Sequence, residues 1–351
     1  MQYDTSLSWN ELDRMVTTIV PSWDLDEATP TEGGHHVVYR LAVDTPDGTR
    51  ECYLKATPQE KSPSVNLEAR LLAILNAETD IPVPPVVGTV DHHGSLPAPF
   101  VLLEALLGQT THRTELPSLS DRTLRTVARD TGRYLAALHA LDAVDAYGFL
   151  TADGPALGGE RPSGAVGTVT VEDPIWDWQE RLHEWASGTV TQLEGTQFAD
   201  IAPDAEPVIR SRIDDVEGPF EPALARIDNA LENVLLEDNT VSAMLDWEFS
   251  IAATPDYDIV NVAWSLAGGP YLFAPDVPDR RDLVREALLD GYRERGPTAV
   301  EEQTRANRDC YELLSALRSM THLADWYELF DLDGEIDTAA ATLRCEVESR
   351  L

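Results

Sequence analysis

The chain has 351 residues, 62 of them Asp or Glu against 26 Lys or Arg, which gives a formal charge of −36. So negative a surface repels phosphate backbones and anionic lipids, which argues against nucleic-acid and membrane-surface partners. A hydrophobic content of 43% excludes a wholly disordered acidic chain, and no apolar run approaches the roughly 20 residues a membrane helix needs.

In chain order, Met1–Ser8 lacks the basic-then-apolar pattern of a secretory signal, so a cytoplasmic setting is expected. The three cysteines, Cys52, Cys310 and Cys345, are far apart and form neither a disulfide framework nor a metal-binding spacing. Val37–Val43 and Glu51–Thr57 read as strands joined by the turn Pro46-Asp47-Gly48. Asn66–Asn76 carries helical periodicity, with Leu67, Leu71, Leu72 and Leu75 on one stripe. A Pro-rich connector, Ile81–Pro85, leads to two more strands at Val86–Asp91 and Phe100–Glu104. From about Asp121 the pattern turns helical: Leu124, Val127, Ala128, Thr131, Leu135, Leu138 and Leu141 recur with a 3.6 period. Residues 151–170 are rich in Gly, Pro and Thr and are expected to form a loop. Glu172–Gly188, with Trp176, Trp178 and Trp185, is expected to be a helix or helical hairpin. Amphipathic helices at 280–295 and 301–330 close the chain. The reading is α+β, with a small β-rich unit over residues 1–106 and a larger, mostly helical one over 107–351.

Lysine occurs only at Lys55 and Lys61; the other 24 basic residues are Arg. Acidic excess with lysine nearly absent fits a cytoplasm at molar salt, where the Debye length is about 3 Å and self-repulsion is screened. The alternative is an acidic groove for a cationic ligand, but the carboxylates are spread along the whole chain, which favours salt adaptation and a halophilic source. Where lysine is so scarce, Lys55 at the centre of a strand points to a chemical role rather than a snorkelling surface side chain.

The most informative stretch is Leu224–Trp264. Asn233–Glu237 and Thr240–Trp247 read as a hairpin turning at Asp238-Asn239. Pairing Glu237 with Thr240 makes Asn233 and Asp246 diagonal neighbours on one face, about 7–8 Å apart, within reach of one cation. Mg²⁺ wants hard oxygen ligands and keeps room for phosphates, so one carboxylate and one carboxamide suit it. Asp228, on the loop entering the hairpin, is free to orient or accept the proton of an attacking hydroxyl. Phosphoryl transfer asks for these parts: a metal clamp, a positioned nucleophile and cations on the phosphates. Taken singly, Asp228 and Asn233 could simply cap a turn, and Glu68 could lie on an acidic helix surface.

These residues resemble the aminoglycoside phosphotransferase-like family, small-molecule kinases with a two-lobed protein-kinase-like fold. The resemblance runs from about Glu32 to Trp264. The family's His-x-Asp-x-x-x-x-Asn catalytic loop is matched by Arg226-Ile227-Asp228 and Asn233, with Arg226 in the His position. Leu245-Asp246-Trp247-Glu248 resembles its Ile-Asp-Trp-Glu run, and Pro255-Asp256-Tyr257-Asp258-Ile259 the segment that follows. The match implies Asp228 as catalytic base, Asn233 and Asp246 as Mg²⁺ ligands, and Asp256 and Asp258 as braces of the loop. It further implies that the backbone at Gly33 and Gly34 approaches the phosphates, and that Lys55 binds them while paired with Glu68, 13 residues on. Phe100–Leu107, with Leu103 and Glu104 at its centre, resembles the hinge that holds the adenine edge. His139 fits a family pattern as a structural residue. His35-His36 and His92-His93 lack further ligands and read as surface or loop positions.

The implied activity is transfer of the γ-phosphoryl group of ATP, or GTP, to a hydroxyl of a small molecule, with Mg²⁺. The nucleotide is expected in the cleft between lobes. No nucleic acid or membrane partner is expected, and neither the acceptor nor the oligomeric state is specified. Arg226 in place of His raises an alternative, a weak or inactive nucleotide-binding module of pseudokinase type; a non-kinase acidic scaffold is a third.

Overall fold

A capping box opens the first helix. The Ser8 hydroxyl accepts from the Glu11 N–H while the Glu11 carboxylate accepts from the Ser8 N–H, so two orphan donors are satisfied. The computed structural model describes residues 6–31, 36–57, 65–154, 156–157, 168–329 and 331–351. Gly33, Gly34, His35 and Lys61 lie outside the described residues. The chain separates into two units. The first comprises Met1–Leu107, Leu150–Thr170 and Ala243–Phe249; the second comprises Gly108–Phe149, Val171–Ser242 and Ser250–Leu351.

The first unit begins with α1 (Trp9–Ile19) and β1 (Asp24–Pro30), neither anticipated from the sequence pattern. Next come β2 (Val37–Thr45) and β3 (Gly48–Ala56), then α2 (Val65–Glu78), β4 (Val86–Val90) and β5 (Phe100–Glu104). The strands form an antiparallel sheet in the order β1-β2-β3-β5-β4. β3 is central because its alternating Cys52, Leu54 and Ala56 are fully buried, against α1 residues Leu12, Met15 and Val16. Lys55 shows the opposite face of β3, paired with Val38 on β2 and Val101 on β5. α2 packs against β4 and β5 and is buried nearly all round, Glu68 and Arg70 included. Arg70 is satisfied by Asp91, at 2.7 Å.

In the second unit, β6 (Gln109–Thr110) precedes α3 (Asp121–His139), which buries the expected stripe from Leu124 to Leu138, while Leu141 lies beyond the helix and is half-buried. The chain continues through β7 (Tyr147–Asp153) and β8 (Thr168–Ile175). The described ends of the 151–170 segment are therefore strands, and the expected loop is corrected there: alternating Val169 and Val171 suit a pleat despite the Gly and Pro around them. The helix expected over 172–188 starts later, as α4 (Trp178–Leu193), because Asp177 is its N-cap. Then come α5 (Ala202–Asp214), β9 (Ala223–Ala225), β10 (Val234–Glu237), β11 (Thr240–Met244) and β12 (Ile251–Ala253). The chain ends through α6 (Pro255–Leu266), α7 (Arg281–Tyr292), α8 (Thr298–Thr321), α9 (Leu323–Leu329) and α10 (Ile336–Glu348), the last beyond the helices expected to close it. Trp178, Tyr257 and Tyr311 stack edge-on in this core, and the Trp178 indole N–H donates to the Tyr311 hydroxyl at 3.1 Å. Helices α3 and α7 cross at reciprocal glycines: a Cβ on Gly132 would lie 1.9 Å from the Leu288 carbonyl oxygen, and one on Gly291 1.9 Å from that of Arg129. Among the described residues no helix is long and apolar enough to cross a membrane. The architecture is mixed α+β, with a five-stranded sheet in the N-terminal part and mostly helices in the C-terminal part, as the sequence pattern leads one to expect.

Candidate active site

The first unit holds one ammonium among three carboxylates. Lys55 Nζ lies 2.9 Å from Glu68 Oε2, 2.8 Å from Asp246 Oδ1 and 2.8 Å from Glu248 Oε2. Each partner arrives by a separate route. Lys55 comes from the sheet face of β3, and Glu68 from the first turn of α2. Asp246 and Glu248 come from the 245–249 segment after β11, which Trp247 anchors. Its indole is buried and donates to the Met244 carbonyl at 3.0 Å, and its backbone N–H donates to Glu68 Oε1 at 3.3 Å. The Met244 N–H in turn donates to the Pro82 carbonyl at 2.8 Å.

The electrostatics follow from burial. Side-chain exposure is 4% for Glu68 and 2% for Glu248 against 33% for Asp246, so Asp246 is the carboxylate open to a ligand. Burial opposes the Lys55 charge, but Glu68, Asp246 and Glu248 outweigh it and hold its pKa well above that of an ordinary lysine. Burial lifts Glu68 above the usual carboxylate range; Lys55 opposes the rise, and Asp246 and Glu248 add to it. Glu248 also begins with burial pushing it up. The hydrogen bond with His36 and the charges of Lys55 and His36 overcome that and hold it at about 2. Of the surface or loop positions the sequence reading allowed, His36 takes the loop one, with its side chain buried. Its Nε2 pairs with the same Glu248 oxygen that meets Lys55, and its Nδ1 lies 2.9 Å from the Thr57 hydroxyl.

The loop of residues 226–233 belongs to the second unit. Asp258 Oδ1 accepts the Ile227 N–H at 2.7 Å, and its Oδ2 lies 2.9 Å from His139 Nε2. Ile227 is held at φ +47°, costly for a β-branched residue, so Asp258 braces a strained turn immediately before Asp228. Asp256 serves the unit differently, accepting from the Asn307 carboxamide at 2.7 Å. Arg226 is buried, donates from Nε to Asn229 Oδ1 at 2.6 Å, and reaches the Asn233 carbonyl at 3.4 Å. Its guanidinium fork therefore ties both ends of the loop together. Asp228 Oδ1 lies 3.4 Å from both the Ser265 hydroxyl and the Ala230 N–H, which orients the carboxylate without burying it.

Asn233 and Asp246 do not face each other as strand neighbours, contrary to the hairpin expectation. The turn at Asp238-Asn239 forms as expected, with φ of +51° and +63°. However, Asn233 ends a 3-10 turn, Leu231–Asn233, and Asp246 sits beyond β11 at φ +60°. Neither lies in a pleated strand, so strand alternation does not fix their relative positions. Leu103 and Glu104 are the last residues of β5. The N–H of Glu104 is already taken by the Pro85 carbonyl at 2.9 Å, and that of Ala105 by Glu51 at 3.2 Å. Sequence reasoning missed Glu248 and His36. Both stand inside stretches it singled out, but nothing in their spacing reveals that they meet.

The phosphotransferase enzyme family model matches residues 27–302. The chain belongs to the phosphotransferase enzyme family. Its fold resembles that of a thermostable mutant of aminoglycoside phosphotransferase APH(4)-Ia, solved with AMP-PNP and hygromycin B. That match has a TM-score of 0.60 at 14% identity, covering 95% of this chain and 98% of that one. Macrolide 2'-phosphotransferase MphH from Brachybacterium faecium matches with a TM-score of 0.55 at 17% identity, over 95% and 98% of the two chains. The gentamicin complex of APH(2")-IIa matches at 0.56 and 14%, over 97% and 96%. No curated protein matches the sequence.

Proposed function

We propose that this phosphotransferase moves the γ-phosphoryl group of ATP to a hydroxyl of a small molecule. The observation that carries this reading is the Lys55 ammonium among Glu68, Asp246 and Glu248, within a chain of the phosphotransferase enzyme family. In the proposal Asp228 accepts the acceptor hydroxyl's proton. The hydroxyl oxygen bonds to the γ-phosphorus as the bond to the β–γ bridging oxygen breaks, and ADP leaves with that oxygen. Lys55, kept charged by its neighbours, binds phosphate oxygens, and Glu68 holds it in place. Gly33 and Gly34 bring backbone to the phosphates, and Leu103 and Glu104 face the adenine.

The donor chemistry suits Mg²⁺: Asp246 offers a partly exposed carboxylate and Asn233 a carboxamide, both hard oxygen ligands. When bound, the ion neutralises charge on the phosphates. We further propose residues 1–106 as the nucleotide-binding lobe, 107–351 as the catalytic and acceptor lobe, a cytoplasmic setting, and salt adaptation. The pseudokinase alternative rests on Arg226, whose bonds to Asn229 and Asn233 do the loop-organising work expected of the histidine it replaces.

The test is a phosphoryl-transfer assay in high salt. The acceptor screen starts with aminoglycosides and macrolides, the compound classes of the similar solved enzymes, and extends to sugars and amino-alcohols. Asp228→Ala is expected to lower transfer by about 10²–10⁴ and leave nucleotide binding intact. Transfer within about tenfold of wild type would remove the base assignment.

A further inference from the structure

Glu248 and His36 belong to no role assigned above, yet both are nearly fully buried at the cluster, with side-chain exposures of 2% and 4%. A buried carboxylate needs hydrogen-bond partners, and the single Lys55 ammonium is shared among three carboxylates. His36 supplies the missing partner. It stands directly before β2, at the end of the glycine-containing segment, and Glu248 Oε2 takes both its Nε2 and the Lys55 ammonium.

We propose that His36 is a positioning residue for the nucleotide: through Glu248 it fixes the point where the chain enters β2 to the carboxylate segment that carries Asp246. This rests on the ATP-dependent reading above. Both anchors are local to the first unit, so the tie does not depend on the second. The connection is specific to one ring nitrogen. Nε2 faces Glu248, while Nδ1 faces Thr57 at 2.9 Å. A Gln side chain carries its amide near the Nε2 position and an Asn side chain near Nδ1, so two substitutions separate the contacts.

The experiment measures affinity for a fluorescent ATP analogue without Mg²⁺, together with KM for ATP and kcat, for wild type, His36→Ala, His36→Asn and His36→Gln. Melting temperatures check that each variant is folded. Losing a positioning hydrogen bond to a charged group corresponds to about a tenfold weaker Kd. His36→Ala and His36→Asn are expected to show that loss, expressed in KM rather than kcat, and His36→Gln to recover most of it. Wild-type affinity in His36→Ala overturns the proposal, as does recovery by Asn and not by Gln, which would make Thr57 the partner that matters. A wild-type protein that binds no nucleotide removes the ATP reading and this proposal with it. Binding by wild type with no change in His36→Ala removes this proposal alone.

Discussion

Replacing Lys55 with Met tests the electrostatic account of the cluster most directly. The substitution keeps the length of the side chain and removes the one ammonium shared by three carboxylates. Two of the three, Glu68 and Glu248, are almost fully buried, so solvent cannot replace the lost partner. Breaking a buried ion pair from one side destabilises by about 3–5 kcal/mol. A second route gives a similar ceiling. The folded variant can relieve the charge by binding a proton, and for a carboxyl with an ordinary value of 4.5 that takes about 3 kcal/mol at pH 7 and under 1 kcal/mol at pH 5. The sign follows from linkage. Without Lys55 the folded carboxyl titrates above its unfolded value, so its stability is present below about 4.5 and is lost as pH rises through the folded value. Urea unfolding in molar KCl, followed by circular dichroism, should therefore show a large stability gap between wild type and Lys55→Met at pH 7. The gap should shrink to about 1 kcal/mol at pH 5. High salt should not erase it, because buried charges are screened far less than exposed ones. A variant within 1 kcal/mol of wild type at pH 7, or an equal loss at both pH values, would refute the argument.

Three further outcomes are expected. Gly132→Ala should destabilise by about 1–3 kcal/mol or more in urea unfolding, although Ala favours helix, because its Cβ would meet the Leu288 carbonyl at 1.9 Å and backbone cannot yield locally. Arg226→Ala should destabilise by about 3 kcal/mol and lower phosphoryl transfer at least tenfold, since the bonds to Asn229 and Asn233 are lost; Arg226→Lys should not restore either, because one ammonium cannot make both. A KCl titration should show unfolding below about 1 M salt, and full stability in dilute buffer would count against salt adaptation.

What the sequence reveals depends on whether a signal is local or assembled. Lys55 is legible because lysine is scarce and its strand is bounded by a clear turn. Glu68 follows once α2 is recognised from its leucine stripe, although only the structure tells its burial from an acidic helix surface. The hairpin turn at Asp238-Asn239 is legible because both residues tolerate a left-handed backbone. The same local logic misleads a few residues away. Asp246 also adopts φ +60°, and nothing in Leu245-Asp246-Trp247 announces that the pleat has ended. α1 and β1 escape notice because they precede the strong motifs, and Pro21-Ser22, the turn between them, is a weak signal by itself.

Glu248 and His36 are the harder case. They stand 212 residues apart, and each looks ordinary in its own neighbourhood, one an acidic residue in an acidic chain, the other one of two adjacent histidines. Their pairing answers a shortage of hydrogen-bond donors around Lys55, and that shortage exists only once three carboxylates have been brought to one ammonium. Counting donors against acceptors at a buried site, rather than matching motif positions, is therefore what finds them. A chain with so few lysines makes the count short, because a further buried carboxylate must find its donor on another side chain, and here that donor is the His36 ring nitrogen.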